Sequence, residues 1–246
     1  MKIVRLSLIC FLTGLCLTGL AVAAQKNIVV ATDATWPLME MVDKNNAIVG
    51  FDIDLFNAVA KEAGLTVEYR NIPWDKIFAG LESGKYDAII SSVTITDERR
   101  KKYAFTDPYF TAGQILVTTK AAAARSPSDL KGSKIGAQAD TTGAMIVTRT
   151  PGVELKAYDD IQTAFADLAF GRIQGVICDT PAAANYVFQN PQYKDKFKIA
   201  SAPLTQEPYG IVVKKGNQAL LDQLNKGIKA VKAKGIDKQL EKKWLR

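Results

Sequence analysis

The sequence contains no histidine, which removes the commonest general base and a common metal ligand. Carboxylates and lysines are left for either role. Cysteine is scarce: of three, Cys10 and Cys16 fall within the first 23 residues. Once that leader is cut away, Cys178 stands alone and no internal disulfide can form, so stability rests on packing. A lone thiol without a histidine partner reads as a buried structural group rather than a nucleophile. Long apolar runs are missing too, because residues 6–20 are fewer than the roughly 20 that a membrane span needs. Nor is there a basic stripe interleaved with aromatics. Residues 99–102 and 238–243 are short charge runs of the kind found on solvated helix faces, so no nucleic-acid partner is expected.

What is present begins with a leader. Lys2 and Arg5 precede the apolar run and Ala21-Val22-Ala23 follow it, the layout of a secretory signal peptide cleaved after Ala23 or one residue later. Leu15 precedes Cys16 and Ile9 precedes Cys10 where a lipid-anchored protein has a small residue, so a lipid tether is not expected. Cleavage leaves 223 of the 246 residues, enough for two domains of about 110 residues each. The formal charge of +7 falls to +5 when Lys2 and Arg5 leave. With the chain ending at Arg246 and no spanning helix in view, an exported, periplasmic protein is expected.

Short β-rich runs alternate with helical patterns, at residues 27–31, 51–63, 65–69, from Trp74, and 86–91. Such alternation predicts an α/β fold with a parallel sheet. Ile53, Phe56, Val59 and Ala60 share a helix face and Gly64 supplies the stop. An internal repeat then appears: Ile77-Phe78-Ala79-Gly80-Leu81 and the residues following to Ile90 match Ala164-Phe165-Ala166-Asp167-Leu168 and those to Ile177, without a gap. Each copy reads as helix, glycine stop and buried strand, which predicts two similar lobes. Chance recurrence of a common pattern is the alternative. If the repeat is real, Ser91-Ser92 and Cys178-Asp179 end equivalent strands. Ligands of open α/β sheets bind beyond such strand ends, here in a cleft between lobes.

The first strand end leads through Ser92-Val93-Thr94 to a helix start with Thr96 as N-cap and Arg99 in its first turn. A guanidinium there is either a surface capping group or a two-bond clamp for a carboxylate, which a lysine cannot reproduce. In the second half, residues 136–143 join a strand to a helix N-terminus near Thr142. Such an end is either an ordinary capped loop or a carboxylate site. Asp179 precedes Thr180-Pro181, with Pro181 expected at the first helical position. It is either a plain N-cap or a partner for an ammonium. Asp33 and Trp36 follow the first strand and Trp74 opens a helix; the indoles either pack loops or stack on a ligand.

Gly50-Phe51-Asp52-Ile53-Asp54-Leu55, the segment from Ser91 to Arg99, Phe105-Thr106-Asp107-Pro108-Tyr109, Thr141-Thr142 and the segment from Gly171 to Asp179 together resemble the polar amino-acid-binding proteins of bacterial ABC importers. These are the histidine-, lysine/arginine/ornithine- and glutamine-binding proteins, solute-binding protein family 3. The resemblance spans essentially the whole exported chain. It implies the two-lobed periplasmic-binding-protein fold of type II, with two parallel-rich sheets joined by two hinge strands. The implied divisions are a signal peptide at 1–23, one lobe from 24–112 with 205–246, and a second lobe at 113–204, with crossings near 109–114 and 202–208. Residues 121–130 become a surface loop within the second lobe.

The resemblance also implies roles. Arg99 clamps the ligand carboxylate; Ser92, Thr94 and Thr142 supply hydroxyl and backbone contacts; Asp179 holds the ammonium. Asp33 meets the ligand side chain, flanked by Trp36 and Trp74. Tryptophans at both flanks, with Ala34 and Pro37 in that loop, depart from the histidine-type pattern. Asp33 between two indoles suits a cationic side chain first (arginine, lysine or ornithine), glutamine next and histidine third. The expected partners are a free amino acid and a membrane permease, for a monomer without cofactor, metal or catalytic residue. Two alternatives stand beside this: an enzyme of the same fold, akin to cyclohexadienyl or arogenate dehydratases, and a free amino-acid sensor docking on a receptor.

Overall fold

The computed structural model describes residues 26–245, so the expected leader lies outside the described residues. The chain opens with β1 (Lys26–Thr32). A small three-stranded antiparallel sheet over residues 35–49 follows, then helix α1 (Phe51–Ala63). Gly64 ends α1 in a left-handed conformation at φ 71°, where a side chain would be strained. Next come β2 (Leu65–Asn71), α2 (Trp74–Glu82), β3 (Ala88–Ile89), α3 (Asp97–Lys102) and β4 (Tyr103–Phe105). A short strand β5 (Phe110–Ala112) leads into the second half.

There β6 (Gln114–Thr119), β7 (Lys134–Gln138), α4 (Thr142–Arg149), β8 (Glu154–Tyr158), α5 (Ile161–Ala169), β9 (Gly175–Asp179), α6 (Thr180–Ala184) and β10 (Phe197–Ile199) succeed one another. The chain returns through β11 (Glu207–Tyr209), antiparallel to β5, into β12 (Val212–Lys214) and finishes with α7 (Gln218–Ala233) and α8 (Ile236–Trp244).

Two five-stranded sheets result, ordered β2-β1-β3-β12-β4 and β8-β7-β9-β6-β10. In each, three parallel strands are extended by two strands, the fourth running antiparallel to the third. This is the two-lobed type II arrangement. The repeat keeps register as well as order. Ala88 and Ile89 face Val30 and Ala31 on β1 of the first sheet. Their counterparts Gly175 and Val176 face Ile135 and Gly136 on β7 of the second.

Apolar faces of the helices cover these sheets. Phe51, Leu55, Phe56 and Val59 of α1 are buried in one core with Leu220, Leu224 and Ile228 of α7. In the other half Phe165 stacks on Tyr186 at 3.8 Å between centroids. Each such side chain contributes about 1.5–3 kcal/mol by leaving water.

Three expectations need correction. The strand expected over 86–91 is regular only at Ala88–Ile89, flanked by the Asp87 and Ile90 N–H groups donating to Val29 O and Ala31 O, because the chain then turns through Ser92 at φ 49°. Thr180, not Pro181, is the first residue of α6, so proline occupies the second position, which needs no N–H donor either. The loop 121–130 closes on a 3₁₀ turn, Pro127–Leu130, whose Pro127 and Leu130 are buried.

Candidate ligand-binding site

The eight side chains singled out from the sequence line one narrow cavity, with about 30 Å³ of room for the centres of water-sized molecules, and they converge polar and aromatic groups as small-molecule sites do. Its floor is made where the chain leaves the C-terminal ends of β1, β3, β7 and β9, as open α/β sheets dictate.

On the first lobe, Asp33 is buried and its backbone N–H donates to Ser91 Oγ at 2.9 Å. Thr35 Oγ1 donates to its carboxylate at 3.0 Å. Burial raises the Asp33 pKa against these hydrogen bonds. Trp36 and Trp74 are buried, and among the described residues neither indole N–H has a hydrogen-bond partner. Thr96 caps α3 by accepting the Arg99 N–H at 3.2 Å, as its position predicts. The Arg99 guanidinium leaves the solvated face. It lies 5.4 Å from the Trp74 ring centre and 5.6 Å from that of Phe78, and donates to Thr94 O at 3.0 Å. Stacking on aromatic rings with N–H groups to spare is what arginine provides and lysine does not.

On the second lobe, Thr141 caps α4 by accepting the Ala144 N–H at 3.2 Å. The first N–H groups of α4 and the Thr142 hydroxyl therefore sit at the cavity wall. Asp179 occupies the N-cap position of α6, but its side chain makes no cap hydrogen bond. It accepts instead from Tyr209 Oη on the returning strand. Burial pushes the Asp179 carboxyl up to about 6, with Glu207 adding to the effect.

Sequence reasoning passed over several wall residues. Glu40 lines the cavity, fully buried, and accepts from Ser91 Oγ at 3.2 Å and Ser92 Oγ at 3.1 Å. Behind it Asp52 accepts the Ser92 N–H and the Tyr109 hydroxyl, both at 2.8 Å. Burial raises both carboxyl groups, Asp52 to about 7, and the facing Asp52 raises Glu40 further. Gln138, the last residue of β7, joins the same wall. Only its strand-end position signalled this; Glu40 had the signal of lying on the same loop as Asp33 and Trp36.

Chemically, the cavity offers one guanidinium, helix N–H groups and two indole faces against the carboxyl groups of Asp33, Glu40 and Asp179. Cys178 is buried and its thiol is pushed well up by burial, which suits a packing role. Among the described residues no group of three His, Cys, Asp or Glu is placed to hold a metal ion, and no helix is long and apolar enough to cross a membrane.

Comparison with known proteins agrees with this architecture. The "ABC transporter arginine-binding protein 1" of Escherichia coli K12 is 35% identical over 229 residues, covering 91% of this chain and 92% of the relative. A solved ancestral arginine-binding protein bound to arginine is 40% identical with a TM-score of 0.85, covering 89% of this chain and 98% of its own. The ancestral protein bound to glutamine is 41% identical with a TM-score of 0.84, covering 89% and 97%. The family model of bacterial extracellular solute-binding proteins, family 3, matches residues 28–246, and the chain belongs to that family.

Proposed function

We propose that this chain is the periplasmic component of an ABC importer that binds one free cationic amino acid, L-arginine first, and presents it to a membrane permease. The observation that carries the reading is the charge of the cavity, where a single guanidinium shares the space with Asp33 and Asp179, while Glu40 is pushed well up by burial and by Asp52. A zwitterionic amino acid with a neutral side chain pairs with Arg99 and Asp179 and leaves Asp33 without a counter-charge. A cationic side chain supplies it.

In this reading Arg99 and the N–H groups of α4 take the ligand carboxylate, and Asp179 takes the α-ammonium. Ser92, Thr94 and Thr142 surround that end. Asp33 and Glu40 receive the cationic side chain between the Trp36 and Trp74 rings, where a guanidinium gains from both faces. Glutamine is the second choice, its amide donating to the same acids. The lobes divide as 24–112 with 205–246 against 113–204, and the protein acts as a monomer, without turnover, cofactor or nucleic acid. Arginine-binding relatives support the ranking.

Isothermal calorimetry of the exported chain with arginine, lysine, ornithine, glutamine and histidine tests it. One molecule bound per chain, tightest for arginine, with the amino acid recovered unchanged, is the expected result. Absence of binding to all five, or chemical conversion of the amino acid, sinks the reading.

A further inference from the structure

Glu207 lies on the returning strand β11, outside the cavity wall, and is buried. One of its oxygens, Oε2, lies 2.9 Å from Thr94 Oγ1 and 2.6 Å from Thr142 Oγ1. It also receives Gln114 Nε2 at 3.3 Å, while Oε1 receives Thr205 Oγ1 at 2.9 Å. A carboxylate accepts and does not donate, and a threonine hydroxyl has one proton. Both protons are therefore spent on Glu207. Gln114 Nε2 also donates to Thr142 Oγ1 at 3.1 Å, so Thr142 keeps one free lone pair and Thr94 keeps two.

Thr94 and Thr142 line the cavity beside Asp179. With their protons committed, they can only accept from whatever lies between them. We infer that Glu207 is a positioning residue that fixes the Thr94 and Thr142 hydroxyls as acceptors, and so selects ligands carrying an α-ammonium over analogues without one. This rests on the amino-acid reading above and adds the source of its selectivity at the main-chain end. A ligand lacking the ammonium leaves these lone pairs and Asp179 unsatisfied, a loss that buried polar groups do not tolerate cheaply. The ligand carboxylate is excluded from the same hydroxyls and is left to Arg99 and the α4 N–H groups. Because Thr94 comes from the first lobe and Thr142 from the second, the shared oxygen also ties this polarity to the closed arrangement.

The test compares L-arginine with δ-guanidinovaleric acid, which is arginine without its α-amino group. Glu207→Leu frees both hydroxyl protons, whereas Glu207→Gln keeps an oxygen toward the threonines with its NH₂ toward Thr205. The preference for arginine is expected to fall about tenfold or more in the leucine variant and to be largely retained in the glutamine variant. Equal loss of both compounds in Glu207→Leu, an unchanged preference there, or an equal fall in Glu207→Gln would overturn the inference. If the leucine variant does not fold, Thr94→Val removes the lone pairs directly and should lower the preference similarly; an unchanged preference overturns it. Wild type binding both compounds equally overturns the inference as well, whereas wild type binding neither overturns the functional reading beneath it.

Discussion

Gln138, at the end of β7 in the second lobe, donates from Nε2 to Asp33 Oδ2 in the first lobe at 3.3 Å. The same nitrogen donates to Asp159 O at 2.9 Å, which anchors the side chain to its own lobe. A second bond crosses nearby, from Arg99 Nη2 to Asp140 O at 3.1 Å. Asp140 reaches it from a left-handed conformation at φ 57°. Both bonds span the two lobes across the cavity.

Gln138→Ala removes the Asp33 bond without touching either core. A hydrogen bond to a charged group is worth about 1.5–3 kcal/mol, so L-arginine affinity should drop about tenfold or more while the melting temperature without ligand stays put. Small-angle scattering adds a second readout: saturating arginine should reduce the radius of gyration in the wild type, and the variant should need more arginine for the same reduction. A ligand that binds tightly with no change in scattering would remove closure from the mechanism.

Arg99→Lys keeps the charge and loses the fork. The guanidinium stacks against Trp74 and Phe78 and spends only part of its hydrogens on Thr94 O and Asp140 O, leaving the others for a carboxylate. An ammonium cannot satisfy that many partners in one plane. Arginine affinity should fall about a hundredfold, given that charge-assisted bonds are the strong ones, with circular dichroism unchanged. A folded Arg99→Lys protein of wild-type affinity ends the proposed clamp.

The fold was legible because its signals are local. The apolar face and glycine stop of α1, the Thr96 cap and the helix-strand repeat each follow from a few neighbouring residues. Asp33, Trp36, Ser92, Arg99 and Asp179 could be placed on one cavity because strand ends and helix starts put them at the facing edges of the two sheets. The network behind the site was not legible. Asp52 and Glu40 lie 12 residues apart, yet their carboxyl groups face each other directly and together hold the turn at Ser92. Glu207 reaches Thr94 and Thr142 across 113 and 65 residues, and no spacing rule connects a crossing strand to hydroxyls in two lobes. The motif around Asp52 and Asp54 also proved structural: Asp54 accepts the Trp244 indole N–H at 2.7 Å and tethers α8 to α1.

Gly50 begins that motif and carries a stability prediction. It adopts φ 140°, and a Cβ there would lie 2.2 Å from Met39 O. Neither the backbone angle nor the contact can relax without moving the loop that carries Glu40. Gly50→Ala should therefore destabilise the protein by about 2–4 kcal/mol, combining backbone strain with a clash. Urea denaturation checks this, and a loss below about 1 kcal/mol would mean that the loop moves freely.

The last prediction concerns pH, and its sign is the reverse of the usual carboxylate case. Asp179 is pushed up to about 6, Asp52 to about 7 and Glu40 well upward, chiefly by burial. In the unfolded chain such groups titrate near pH 4, so from about pH 4 up to the raised values the native state holds more protons. Linkage then makes stability rise as pH falls through that window. Asp167 is lowered by Lys156, Arg172 and Tyr158; it acts oppositely, but loses its contribution only below about pH 4, where the unfolded carboxyl gains its proton. The ligand-free protein should accordingly melt higher at about pH 5 than at about pH 8. Binding an α-ammonium works against the proton on Asp179, since the ligand favours the charged carboxylate faced by Tyr209, Glu207 and Arg99. Arginine affinity should thus fall as pH drops through about 6, while thermal stability without ligand climbs. In Asp179→Asn the affinity should be low and much less dependent on pH. Calorimetry and thermal melts across that range read the two trends separately, and affinity that stays level between about pH 5 and 8 in the wild type would show that Asp179 does not hold the ammonium.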